Sequence, residues 1–106
     1  MAGFVTDTAI YGAPSSHAPS SFVSIVFGGA YSHSNITVVL GENNTVTWTN
    51  NDVVGHTVTA DSGLFSSGML SSKQTWGFTF DHPGTYYYHC SYHAWMHGVV
   101  TVIKNS

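Results

Sequence analysis

From Ile36 onward the chain alternates apolar and polar residues with a period of two, the mark of half-buried strands. Ile36, Val38 and Leu40 share one face, with Thr37 and Val39 on the other. The turn-forming run Gly41-Glu42-Asn43-Asn44 follows. Val46 and Trp48 then face inward while Thr45, Thr47 and Thr49 face outward. Asn50-Asn51-Asp52 turns the chain again, and His56, Val58 and Ala60 share a face that leaves Thr57 and Thr59 outside. Trp76, Phe78 and Phe80 oppose Thr75, Gly77 and Thr79; after a turn over 81–84, Tyr86, Tyr88 and Cys90 oppose Thr85, Tyr87 and His89. Gly98 to Ile103 reads as the last strand.

The beginning of the chain is less regular. Residues 4–11 (FVTDTAIY) read as a first strand and residues 12–21 as a Pro/Ser-rich loop, so 1–21 is partly irregular. Phe22 to Phe27 alternates as a strand that Gly28-Gly29 breaks, and Tyr31 to Ser34 reads as a turn. The Ser/Gly-rich stretch 61–73 reads as a loop with one irregular helical turn. His17, His33 and His82 fall in loops or turns and read as solvated. No segment has helical period and none repeats. Short strands between turn signals predict one all-β domain over residues 1–106, an antiparallel sandwich of about seven to eight strands.

A chain of 106 residues fits one small core. Two basic residues against five acidic ones, formally −3, give no footprint for nucleic acid. No run of about 18 apolar residues spans a membrane, and no basic-then-apolar leader is visible. Met1-Ala2 reads as an expression start standing in for one. One cysteine excludes an intramolecular disulfide.

That cysteine changes the picture. Gly84 to Met96 reads GTYYYHCSYHAWM, so Cys90, His93 and Met96 place a thiolate, an imidazole and a thioether close together. Sulfur and imidazole donors suit copper, and two His with one Cys and a weak axial Met form the blue-copper arrangement. The second His comes from VVGHTVTA, at His56. Strand period puts Cys90 inward at a strand end, and a short loop to Gly98 curls His93 and Met96 back over it. A buried, inert Cys is the plainer reading of a lone thiol, but it leaves the His and Met spacing unexplained. Zinc also accepts Cys with two His; the thioether favours copper.

C-S-Y-H-A-W-M has the Cys-x2-His-x2-Met spacing of the amicyanin branch of the cupredoxins, and the resemblance runs from about Asn50 to Val102. NNDVVGHTVT is similar to the family's segment carrying the first His, SSGMLSSKQTWGFTF to the stretch between the ligand groups, and PGTYYYHC with MHGVVTV to the ligand strand and the closing strand. The resemblance implies a Greek-key β-sandwich with one copper ion, cycling between Cu(II) and Cu(I), held by His56, Cys90, His93 and axial Met96. It also implies an extracytoplasmic site, periplasmic or at the cell surface, with membrane anchoring in a longer chain left open. Two positions depart from the family pattern. Thr57 stands where many cupredoxins have Asn, so the tie to the Cys loop would be a hydroxyl contact to Ser91; Ala94 stands where amicyanin-like loops carry Pro. His89 precedes Cys90, as a second-copper ligand does in copper nitrite reductases and multicopper oxidases, but no His-x-His accompanies it.

The function expected is a monomeric carrier of single electrons between redox proteins. Tyr92, Ala94, Trp95, Met69 and Leu70 are expected to form the apolar docking surface near His93. Two alternatives stand beside it. One is a copper oxidoreductase acting on a small molecule such as nitric oxide at an open copper site; a turnover assay separates it. The other is copper storage or delivery, which favours more sulfur ligands than three Met and one Cys.

Overall fold

Thr and aromatic or β-branched residues in alternation fit a pleated surface with one wet and one dry face, and that is how they are used. A computed structural model describes residues 20–105. The described residues form β1 (Ser20–Val26), β2 (Ala30–Tyr31), β3 (Asn35–Val39), β4 (Thr45–Asn50), β5 (Thr59–Ala60), β6 (Thr75–Thr79), β7 (Gly84–Cys90) and β8 (His93–Ile103), with no helix among them. The strand expected at residues 4–11 and the loop carrying His17 lie outside the described residues. Two four-stranded sheets form, in the orders β2-β1-β4-β6 and β3-β8-β7-β5.

The expected sandwich is present, with both sheets mixed rather than purely antiparallel. β1 runs parallel to β4, from Ser20 opposite Thr45 to Ile25 opposite Asn50. β3 runs parallel to β8, from Asn35 opposite Val99 to Val39 opposite Ile103. Alternation records which face a residue occupies and is silent on the direction of the neighbouring strand.

Val46, Trp48, Tyr88, Val38 and Val100 are fully buried between the sheets. Trp48 is the centre: its ring meets Tyr88 edge-on at 5.3 Å and Trp76 at 5.8 Å, and its Nε1 donates to the Tyr88 hydroxyl at 3.3 Å. Burying an aromatic side chain removes about 150–250 Å² from water, worth about 4–6 kcal/mol at about 25 cal/mol per Å².

Three local expectations change. Residues 61–73 contain no helical turn; the stretch drops Phe65 and Leu70 into the core instead. Tyr31 belongs to β2, paired with Ile25, and is buried with its hydroxyl donating to the Thr57 carbonyl at 2.8 Å. Thr57 is buried as well, because only Thr59–Ala60 is a regular strand there and the chain before it turns inward at His56.

The buried phenols make an alkaline weakness. Burial pushes the Tyr88 hydroxyl up to about 12, against a lesser downward pull from Trp48. Burial raises Tyr31 as well, helped by its neighbours Cys90 and Tyr88. An unfolded phenol loses its proton near pH 10 while these stay protonated, so stability is complete below pH 10 and falls as pH climbs toward 12. Tyr88 alone accounts for about 1.4 kcal/mol per pH unit in that window. Denaturant titrations at pH 9, 10 and 11 are expected to trace this decline; a flat stability to pH 11 contradicts it.

Candidate metal centre

Cys90 ends β7 and His93 begins β8, with only Ser91 and Tyr92 between them. The two strands stay in register from Gly84 opposite Val102 to His89 opposite His97, and then Cys90 pairs with His93. Ala94, Trp95 and Met96 are the unpaired surplus on β8. The expected loop after His93 is therefore a bulge within a continuing strand. Bulges re-aim side chains at functional sites; this one leaves Trp95 on the surface and Met96 buried.

Gly29 makes room beneath the bulge. A Cβ there would lie 3.3 Å from Trp95 Nε1 and 3.4 Å from Met96 Sδ, and Gly29 has φ +80, a region that favours glycine. Its carbonyl accepts the Trp95 indole N–H at 2.8 Å.

His56 arrives from the segment between β4 and β5. Its backbone exchanges hydrogen bonds with Leu70, His56 N–H to the Leu70 carbonyl at 3.1 Å and the reverse at 2.7 Å. Asn50, fully buried at the end of β4, ties the segment down by donating to the carbonyls of Val54 and Leu70, each at 2.8 Å.

The three donors converge. Cys90 Sγ lies 3.7 Å from His56 Nδ1 and 3.5 Å from His93 Nδ1, and all three ligand atoms fall within 4.8 Å of one another. A first-row ion at about 2.3 Å from sulfur and about 2.0 Å from nitrogen, with trigonal angles, separates the two donors by about 3.7 Å. The donor set therefore fits a metal of that size. Cys90 and His56 are buried and His93 half-buried, with the His56 and His93 rings 4.7 Å apart. The Thr57 N–H points at Cys90 Sγ at 3.4 Å. Thr57 Oγ1 accepts the Ser91 N–H at 2.8 Å and lies 3.3 Å from the Ser91 hydroxyl, so the hydroxyl tie expected of Thr57 is present.

Leu70 is corrected. Its bridge to His56 buries it, so it does not belong to an exposed patch. Tyr92, Trp95 and Met69 are 60%, 65% and 52% exposed, and Ala94 is exposed. His89 faces outward, its Nδ1 against Asp61 Oδ1 at 2.5 Å, while His97, His33 and His82 are exposed.

Asp52 and Asn50, read from sequence as turn residues, turn out to be buried parts of the centre. Asp52 Oδ2 lies 2.8 Å from His56 Nε2. The available signal was an acidic residue four positions before a His in one turn. An open cleft of about 260 Å³, lined by Phe27, Val53, Val54 and Trp95 among others, reaches Asp52, His56 and His93.

A two-sheet β-sandwich with a Cys and two His converging at the end of a hairpin defines a class, and the chain belongs to it: the cupredoxin-like domain family matches residues 2–102. Within that family the likeness is to amicyanin. The chain is 36% identical over 63 residues to amicyanin of Paracoccus denitrificans, a match covering 55% of this chain and 48% of that protein. It thus spans about half the length of that relative. A purple cupredoxin from Nitrosopumilus maritimus has 34% identity and a TM-score of 0.71, covering 79% of this chain and 100% of that one. A reduced Cu(I) form of an amicyanin variant has 31% identity and a TM-score of 0.72, covering 84% and 87%. Copper is the cofactor of amicyanin-like cupredoxins, and His56, Cys90 and His93 form its potential ligand site here.

Proposed function

We propose that this protein, as a single cupredoxin domain, carries single electrons between redox proteins with one copper ion held by His56, Cys90, His93 and Met96. The observation that carries the reading is the buried convergence of two Nδ1 atoms on the Cys90 sulfur. Bound there, copper supplies a one-electron Cu(II)/Cu(I) couple. The remaining work belongs to the chain. The Thr57 N–H supports negative charge on Cys90 Sγ, and the Thr57–Ser91 tie holds the hairpin tip still. A donor set anchored this way changes little between oxidation states, which keeps reorganisation small. His93 is the one half-buried donor of the three, so its ring edge is the exit for an electron. Tyr92, Ala94, Trp95 and Met69 around that edge form an apolar surface suited to a brief encounter, since redox complexes bury less than about 1,200 Å². The protein works as a monomer outside the cytoplasm, which size-exclusion chromatography and cell fractionation test.

The decisive experiment is the visible spectrum of copper-loaded protein, followed by electron exchange with a cytochrome. An intense band that disappears on reduction, together with rapid exchange, is expected. Copper bound without such a band overturns the blue-copper reading.

The role of Met96 has its own test. Met96→Leu removes a weak donor and disfavours Cu(II), so the reduction potential is expected to rise by about 59 mV for a tenfold change in relative affinity. Met96→Gln, with a harder oxygen donor, is expected to lower it. A potential unmoved by both makes Met96 a hydrophobic plug.

The cleft at the His56–His93 edge favours a second reading, in which a small molecule such as nitric oxide reaches that edge and reacts. Turnover of nitric oxide by the copper-loaded protein is the measurement that separates the two readings.

A further inference from the structure

Asp52 is an unusual residue to find in the interior: a carboxylate only 3% exposed, in a chain with just two Lys and Arg together. Buried charges require partners, and both of its oxygens have one. Oδ1 accepts the Val53 N–H at 2.7 Å, and Oδ2 faces His56 Nε2 at 2.8 Å. Its own N–H donates to Asn50 Oδ1 at 2.9 Å, so the fully buried amide that anchors the His56 segment also fixes Asp52.

An ionised carboxylate is acceptor-only, so the ring nitrogen facing it must be the one bearing hydrogen. In a neutral imidazole that leaves Nδ1 with its lone pair free, and Nδ1 is the atom turned toward Cys90 Sγ. The geometry points to Asp52 as the positioning residue of the metal centre: it sets the tautomer and orientation of His56 and, through its charge, favours Cu(II) over Cu(I). This rests on the copper reading above and adds what tunes the site. A carboxylate behind a ligating imidazole raises its basicity, and removing such partners costs about 10–100-fold in metal affinity. Both Asp52 oxygens are already engaged, Oδ1 by the Val53 N–H and Oδ2 by His56 Nε2, an arrangement that suits an acceptor-only carboxylate.

Two variants separate tautomer from charge. Asp52→Asn has one acceptor where two are needed, so an amide NH2 faces either the Val53 N–H or His56 Nε2. Copper affinity is expected to fall about 10–100-fold. Asp52→Ala removes the charge without presenting a donor to His56, and water entering through the adjoining cleft can take the Nε2 hydrogen. That variant is expected to keep the visible band while its Cu(II)-to-Cu(I) affinity ratio falls about tenfold, a rise of about 59 mV in reduction potential. Thermal scans of the metal-free variants check that each is folded. Wild-type protein supplies an arm independent of folding and of copper. Nitrogen-15 spectra of the metal-free form at neutral pH are expected to show His56 protonated at Nε2. A ring protonated at Nδ1 alone, or Asp52→Ala and Asp52→Asn affinity ratios within about twofold of wild type (about 18 mV), overturns the inference. If wild type itself lacks the intense band, the electron-carrier reading fails, while the ring tautomer still decides the role of Asp52.

Discussion

Copper-loaded Cys90→Ser protein is expected to lose completely the intense visible absorption of the wild type. The band requires a thiolate donating charge to Cu(II), and a serine hydroxyl keeps its proton at neutral pH where a metal-bound thiol gives its proton up. The substitution is nearly isosteric at a site that is only 2% exposed, so the surrounding sandwich keeps its shape. The Thr57 N–H that pointed at Sγ can still find an oxygen, and the stability cost stays within about 1–2 kcal/mol. His56 and His93 remain, so some copper still binds through imidazole nitrogen. Metal analysis alongside the spectrum therefore distinguishes loss of the thiolate from loss of the ion. A copper-loaded Cys90→Ser sample with an undiminished band would mean that the sulfur is not a ligand.

The second large effect is on folding. Gly98 stands opposite Tyr88 in the β7–β8 hairpin, and the phenol ring lies directly over it. A Cβ at Gly98 would sit 2.2 Å from Tyr88 Cζ and 2.4 Å from its hydroxyl oxygen. The ring has nowhere to go, since Tyr31 packs against it at 4.8 Å and Trp48 at 5.3 Å while Trp48 Nε1 holds its hydroxyl. Gly98→Ala must displace a fully buried aromatic ring, which costs about 1–3 kcal/mol in overpacking. The broken Trp48–Tyr88 hydrogen bond adds about 1–3 kcal/mol. Together these lower the melting temperature of a domain this size by more than about 10 °C. Gly98 also lies next to His97, whose pair with His89 is the last in register before the bulge, so the shift is expected to loosen Met96 as well. Thermal unfolding of metal-free Gly98→Ala measures the effect; a midpoint within about 2 °C of wild type would falsify the packing argument.

The candidate donor residues were legible because their signals are local. Cys90, His93 and Met96 are neighbours along one segment, and the alternation of Tyr86, Tyr88 and Cys90 states which side of the strand the sulfur occupies. Val46 and Trp48 announced the core in the same way, and the Thr57–Ser91 contact followed from the family resemblance, in which the residue after the first His ties down the Cys loop. Asp52 was not legible as a buried residue. An acidic side chain in an Asn-rich turn is ordinarily solvated, and only the inward course of residues 53–56, pinned by Asn50 and Leu70, brings His56 Nε2 back onto its carboxylate. Leu70 was read as surface for a related reason: its segment has no period, and the His56 bridge that buries it joins positions far apart in sequence.

By itself, then, the sequence determined the strand faces, the sandwich class and the sulfur-imidazole donor set, since a two-residue side-chain period and the chemistry of single residues need no partner to be read. The tertiary structure alone decided that β1 lies parallel to β4 and β3 to β8, that Ala94–Met96 is a strand bulge, and that a carboxylate stands behind His56. Each of these depends on which distant backbone or side chain arrives opposite, and alternation is identical for parallel and antiparallel neighbours and for exposed or partnered turn residues.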